Sequence, residues 1–248
     1  MSKIYYILLW FTLLLSCKSI PVQHISDVDV TYLRTDLKSS GGQDADMEAI
    51  IEPYRDQLKD QMDFVIGQLP EDLKKEKPNS NMGNWFCDIL HDIAQDNYDK
   101  NIAFAIQNYG GLRLNGLAKG PLTRGEIFEL MPFDNKLVII EMNAELVTEL
   151  CNTMSRSKGW PVSRGLSMVM GEYEASNIII NGEPIDDKAV YSVALPDYVA
   201  NGGGTGELLK NLPQHDTGYY IREGVIEHLE KMQANNIDIT VDPTLRIK

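Results

Sequence analysis

The sequence predicts an α+β domain, a mixed sheet flanked by helices. Three observations lead there. Two stretches repeat apolar residues at three- and four-residue spacing, several short apolar runs read as buried strands, and the two patterns mix without the βαβ alternation of a doubly wound sheet. No repeat period appears. A hydrophobic content of 43% over 248 residues suffices for one good core, or a core plus a tail.

At the N-terminus, Lys3 precedes an apolar run from Ile4 to Leu15. At about 1.5 Å per helical residue this run is too short to span a bilayer, so residues 1–16 are expected to be a secretion signal. Leu14, Leu15, Ser16 and Cys17 resemble the lipobox of bacterial lipoproteins, which implies a mature chain beginning at a lipidated Cys17. A plain signal peptide with a fortuitous cysteine is the alternative. Each buried acyl methylene contributes about 0.8 kcal/mol, so the lipid would hold the protein at a bacterial membrane, in the cell envelope and facing the periplasm.

Residues 17–46 carry Ser39, Ser40, Gly41 and Gly42 without a sustained apolar period and read as a tether, although Val28 to Leu33 could pair as an edge strand. The domain is expected over 47–248. Ile50, Ile51, Tyr54, Leu58 and Met62 fit one helical face, with Pro53 near the start or at a kink. Met82, Trp85, Phe86, Ile89, Leu90, Ile93 and Ala94 define a second, clearer helix beyond a polar, lysine-rich stretch from Glu71 to Ser80. Ile102 to Ile106 is a buried strand. Thr123 to Glu126 is a capping box, Leu137 to Met142 another strand, and Asn143 caps the helix after it. Asn181-Gly182 after Ile178 to Ile180 signals a hairpin, Tyr191 to Leu195 a strand and Ile221 to Met232 a helix.

A net charge of −13 argues against nucleic-acid polymers, whose phosphates demand a basic surface. A single nucleotide needs only a few local cations. Cys87 and Cys151 lack the paired spacing of a zinc site and read as small core residues, with a disulfide between them left open.

Three loops carry the chemistry. Asn108, Tyr109, Gly110, Gly111, Leu112 and Arg113 follow the first buried strand; paired glycines let a backbone approach a ligand, and the arginine fork suits phosphate or ribose oxygens. Taken alone, this loop also reads as a tight turn with a solvated arginine. Phe133, fixed by Pro132, offers a face for base stacking and Asn135 an amide for a base edge, or else a core ring and a turn residue. Tyr198 precedes Asn201 and the run Gly202, Gly203, Gly204, Thr205, Gly206, either a flexible loop or a backbone passing close to something.

These segments, together with GN-x-x-x-D at Gly83 to Asp88 and G-x-x-T-x-x-E-I-F-x-x-x-PFDN from Gly120, resemble in order and spacing the C-terminal domain of 5'-nucleotidases, over nearly all of Met47 to Lys248. The resemblance implies that domain's fold, with a nucleotide or nucleoside base clamped between Phe133 and Tyr198. It further implies Asn135 at the base, Arg113 on substrate oxygens, and Asn108, Gly110, Gly111, Gly202 and Gly203 in the binding loops. Two departures stand out. Gly204 replaces an aspartate that holds the ribose hydroxyls in many members, and Lys74, Lys75 and Lys77, with Asp72 and Glu76, occupy the stretch where many carry phosphate-binding arginines.

The hydrolytic half of such enzymes needs Asp-x-His, Asn-His and further histidines to hold two metal ions. His24, His91, His215 and His228 belong to no such cluster, so no catalytic residue and no cofactor is assigned to this chain. Divalent metals are expected only in a separate metallophosphatase partner, for which this chain would be the nucleotide-recognition half. The alternatives are a stand-alone nucleoside- or nucleotide-binding lipoprotein and a scaffold that has lost the site.

Overall fold

The computed structural model describes residues 45–248, and three of its helices begin where a side chain satisfies a free N–H group of the first turn. Helix α1 spans Ala45–Met62. Helix α2, Asn81–Asp96, is capped by Ser80, whose hydroxyl accepts from the Gly83 N–H at 2.8 Å. The capping box opens α3, Arg124–Leu130, with Glu126 Oε2 accepting from the Thr123 N–H at 2.8 Å. Asn143 Oδ1 accepts from the Leu146 N–H at 2.9 Å and starts α4, Ala144–Arg156. Losing such a cap typically costs about 0.5–2 kcal/mol. A single turn, α5 (Asp197–Ala200), and the helix α6 (Ile221–Ala234) complete the set.

The strands are β1 (Val65–Leu69), β2 (Leu73–Lys74), β3 (Ile102–Ala105), β4 (Gly116–Leu117), β5 (Gly120–Thr123), β6 (Lys136–Asn143), β7 (Leu166–Met170), β8 (Ala175–Ile180), β9 (Glu183–Pro184), β10 (Val190–Pro196) and β11 (His215–Tyr220). The central sheet has the order β11-β6-β10-β3, with β10 parallel to β3 and antiparallel to β6. It is the mixed sheet that the sequence predicts. Three small sheets, β1-β5, β2-β4 and β7-β8-β9, surround it. The β8-β9 turn uses Asn181 at φ 52° and Gly182 at φ 87°, a pair of positive angles that these two residues tolerate best.

Alternate residues of the central strands feed two cores. Ile102, Leu137, Ile139 and Ala194 pack with Phe86, Leu90 and Ile93 of α2 and Val225 and Leu229 of α6. Phe104, Val138, Ile140, Val193 and Leu195 pack with Val147, Leu150 and Met154 of α4 and Leu166, Ile178 and Ile180 of the β7-β8 layer. A sheet covered on both faces needs apolar residues in succession, which is why Leu137–Ile140 is an unbroken hydrophobic run. Each fully buried side chain of this kind contributes roughly 1.5–3 kcal/mol.

Two features depart from the sequence reading. The stretch between the first two helices contains β1 and β2, which pair with distant partners and leave only a weak local pattern. The stripe on α1 stays exposed at Ile51, Tyr54 and Leu58. Pro53 lies inside that helix. From Ile51 onward the chain forms one compact unit. No helix among the described residues is long and apolar enough to cross a membrane. Cys17, the 1–16 signal, most of the 17–46 tether and the Val28 to Leu33 strand lie outside the described residues.

Candidate functional site

The topology brings the three loops together. Because β3 and β10 run parallel, their carboxyl ends lie at one end of the sheet, and because β6 runs antiparallel to β10, its amino end lies there too. Asn108 to Arg113 leaves β3, Phe133 to Asn135 enters β6, and Tyr198 leaves β10. These loops enclose a solvent-open cavity of about 290 Å³ lined by Asn108, Gly110, Gly111, Arg113, Phe133, Asn135 and Tyr198. That volume is at the lower end of the roughly 300–1,000 Å³ of small-molecule sites. Gly202 and Gly203 are not among these lining residues: Gly202 lies against Glu207 and Lys210, and Gly203 against Tyr198. A Cβ on Gly203 would fall 2.5 Å from Tyr198 Cζ, so its bare backbone gives the ring room to lie on the loop.

The loop before β6 is held from α6. Arg222 donates to Asp134 Oδ1 at 2.7 Å, and the Ile221 N–H donates to the Asn135 carbonyl at 2.8 Å. The Arg222 guanidinium also lies 4.5 Å from the Phe128 ring centroid, which fixes its direction. Its anchoring role was hidden from sequence, since 88 residues separate the pair.

Gly111 serves a neighbour within the protein. A Cβ there would fall 1.8 Å from Gln107 Nε2, so the turn folds over a fully buried glutamine amide. The Gly204 backbone has φ 56°, and a Cβ there would meet Asn108 Nδ2 at 3.1 Å. The glycine-rich loop and the Asn108 loop therefore touch.

Cations gather beside this cavity in an otherwise acidic chain. Lys75 Nζ and Lys77 Nζ lie 4.3 and 4.5 Å from the Tyr109 ring centroid. Lys75 donates to the Leu112 carbonyl and Lys77 to that of Ser157, both at 2.6 Å. Partial burial, then the charges of Arg113 and Lys77, lower the Lys75 pKa from its usual range; burial and then Lys158 lower that of Lys77. Among the described residues, the ion pairs of arginines and lysines involve other side chains, such as Lys100, Lys136 and Arg222, and leave Lys75, Lys77 and Arg113 without a carboxylate partner. The sequence showed these lysines but not that they close on Tyr109.

Elsewhere, polar groups serve the fold. Asp88 accepts from Arg246 Nη1 and Nη2 at 2.9 and 2.6 Å and from the Arg164 N–H at 2.8 Å, the structural role its place in the GN helix suggests. His91 bonds Asp92 Oδ1 at 3.1 Å and faces the Ile102 carbonyl at 3.3 Å. Cys87 and Cys151 are buried free thiols, pushed up in pKa by burial, Cys151 to about 12, and neither is a ready nucleophile. Among the described residues no three His, Cys, Asp or Glu side chains are grouped to hold a metal ion.

Comparison with known proteins agrees with this architecture. Residues 65–211 match the family model "5'-nucleotidase, C-terminal domain". The protein UshA of Yersinia enterocolitica is 24% identical over 226 residues, covering 88% of this chain and 41% of its own length. A 5'-nucleotidase precursor from Thermus thermophilus superposes with a TM-score of 0.69 at 25% identity, covering 81% of this chain and 42% of that one. The NAD nucleotidase of Haemophilus influenzae shares the fold, with a TM-score of 0.64 at 17% identity, covering 83% of this chain and 41% of that one. The chain thus spans about two fifths of the length of the curated relatives it matches.

Proposed function

The chain belongs to the 5'-nucleotidase C-terminal domain family, and from that premise we propose that its cavity recognises a nucleoside or nucleotide as the substrate-binding half of a nucleotide-hydrolysing system. One observation carries the reading: Phe133, Tyr198, two asparagines and Arg113 line a single cavity, with Lys75 and Lys77 beside it and free of carboxylates. Flat apolar faces suit a base, amides suit its edge, and the cations suit a phosphate. The base lies between Phe133 and Tyr198, and the phosphate points toward Arg113 and the lysines.

Cleavage of the phosphoester is the task of a separate metallophosphatase, whose divalent metals polarise phosphate and activate water. Support for this division comes from the four scattered histidines, none of them in a metal-ligand motif. Lipidation at Cys17, behind a signal over 1–16 and a tether over 17–46, would hold both proteins at one envelope membrane and raise their effective concentration. No nucleic-acid polymer is a partner.

Calorimetric titration with adenosine and AMP tests the recognition half: binding of neither would overturn it. Adding the protein to a metallophosphatase encoded beside it should raise kcat/KM for AMP, and Arg113→Ala should abolish most of the gain without unfolding the domain. Equal kcat/KM with and without the protein would leave a stand-alone capture protein.

A further inference from the structure

A second cleft, of about 290 Å³, opens between the β1-to-α2 segment and the segment after α6, with Glu71, Lys74, Glu76, Asn84, Asp242 and Leu245 in its walls. It borders the nucleotide cavity through one short stretch of chain. Along residues 74–77 the side chains alternate as in extended backbone, so that Lys75 and Lys77 reach Tyr109 while Lys74 and Glu76 line this cleft.

Most polar groups around this cleft are already engaged. Asn79 Oδ1 accepts from the Arg246 and Ile247 N–H groups at 3.0 Å each, and its Nδ2 donates to the Ile247 carbonyl. Asn81 Oδ1 accepts from the Lys74 N–H at 2.7 Å, and its Nδ2 donates to the Asp72 carbonyl at 3.1 Å. Asn84 is the exception. It is only 4% exposed, its backbone N–H and carbonyl are taken by Ser80 and Arg246, and its side-chain amide makes no hydrogen bond among the described residues. A buried amide without a partner is costly, and natural folds leave one so mainly where something outside the protein completes it. Above it, Glu71, Lys74 and Glu76 are exposed and form no ion pair among the described residues, while Asp242 is held by Arg246 at 3.1 Å. The rim therefore keeps a net negative charge over a buried amide.

A ligand that completes this amide must both accept and donate, because Asn84 carries both functions. The rim adds a demand for positive charge. We propose that the cleft binds an extended peptide bearing a basic side chain: the backbone N–H and carbonyl of one peptide residue pair with Asn84 Oδ1 and Nδ2 at the floor, and the basic side chain reaches Glu71 and Glu76 at the rim. Arginine fits best, since its planar fork of five donors spans two carboxylates. A neutral hydroxyl-rich ligand has no charge to answer the rim, and a nucleotide phosphate is repelled by it. This site stands independently of the nucleoside reading of the first cavity.

Three ligands separate the two demands in the full chain, each titrated while the side-chain amide resonances are followed: the end-blocked tripeptide Ala-Arg-Ala, which offers backbone and charge, end-blocked Ala-Ala-Ala, which offers backbone alone, and agmatine, which offers charge alone. The arginine peptide should bind at least about fivefold more tightly than either of the others and should shift the Asn84 amide resonances, and AMP should not displace it. Replacing both Glu71 and Glu76 by Gln on the exposed rim should reduce the arginine peptide to the level of the alanine peptide. Asn84→Leu should melt no lower than the unaltered protein, because an apolar group of similar size replaces an unpaired amide, yet it should reduce the arginine peptide to the level of agmatine. Should that variant fold poorly, the rim variant and the three-ligand comparison on the unaltered chain decide. Failure of the arginine peptide to bind, agmatine binding as tightly as it does, affinity unmoved by the rim variant, or displacement by AMP would overturn the proposal.

Discussion

The Arg113 guanidinium lies 5.1 Å from the centroid of the Phe133 ring, so the cation assigned to substrate oxygens covers part of the ring assigned to the base. Such a contact at an accessible site is worth only about 0.5–1 kcal/mol, less than the roughly 1–3 kcal/mol of a base stacked on an aromatic face. A base can therefore displace Arg113 from the ring and leave it free for the phosphate.

The first prediction follows from that ordering. Phe133→Ala and Tyr198→Ala should each weaken adenosine binding about tenfold or more, a tenfold change corresponding to about 1.4 kcal/mol. Tyr198 is half exposed, so its replacement should hardly move the melting temperature. Calorimetric titration and a thermal melt check both parts; unchanged affinity in both variants removes the base clamp.

The second concerns the lysines. Burial and neighbouring cations lower the pKa values of Lys75 and Lys77, and a bound phosphate would draw them back up. Binding of AMP should therefore take up protons at alkaline pH, and its advantage over adenosine should fade as pH rises through the lowered lysine range. Lys75→Gln should cost AMP about tenfold and adenosine less than twofold, because charge-assisted hydrogen bonds contribute about 1.5–3 kcal/mol. Titrations in two buffers of different ionisation enthalpy read the proton uptake.

The third is a stability prediction at Arg246, which is 2% exposed. Besides its two bonds to Asp88 it donates to Asp242 at 3.1 Å, to the Asn84 carbonyl at 3.2 Å and to that of Val162 at 2.8 Å. Arg246→Ala would leave Asp88 with only the half-exposed Arg164 guanidinium, 3.8 Å away, and breaking a buried pair from one side costs about 3–5 kcal/mol. For a domain of this size the melting temperature should fall by roughly 10 °C, with nucleoside affinity preserved below the transition.

The fourth concerns pH. Burial lowers the His228 pKa below 6.5, although Asp92 and Asp96 oppose the shift. The unfolded chain then takes up the proton first, so this contribution to stability is complete above about pH 6.5 and declines as pH falls below it. At Asp92 burial would raise the pKa, but hydrogen bonds and charges from His91 and Arg164 outweigh it and the net shift is downward. Its stabilising contribution is present above the unfolded value and lost at lower pH, as the medium passes through the folded one. Melting temperatures should drop in two stages on acidification, and His228→Gln should remove only the upper one.

How much of this was legible depended on the range of the interaction. The Thr123 capping box, the Asn143 cap and the Asn181-Gly182 turn satisfy their own neighbours, so a few adjacent letters reveal them. The cavity lining was legible because its residues sit in three short loops. What escaped needs distance. β1 carries Gly67 at its centre and pairs with β5 more than fifty residues on, Arg246 meets Asp88 across 158, and Gln107 gains meaning only from lying under Gly111. Lys75 and Lys77 read only as part of a polar, lysine-rich stretch, and it takes the fold to bring both onto the Tyr109 ring.

The convergence of three loops from three adjacent strand ends also bears on how such a site can change. None of these walls is part of the central sheet's hydrogen-bond ladder, so one can be altered without renegotiating strand register. Gly204 illustrates this: its φ of 56° suits glycine and tolerates aspartate better than most residues, and a Cβ there would press only on the Asn108 side chain. Ligand preference can thus drift wall by wall while the sheet beneath stays as it is.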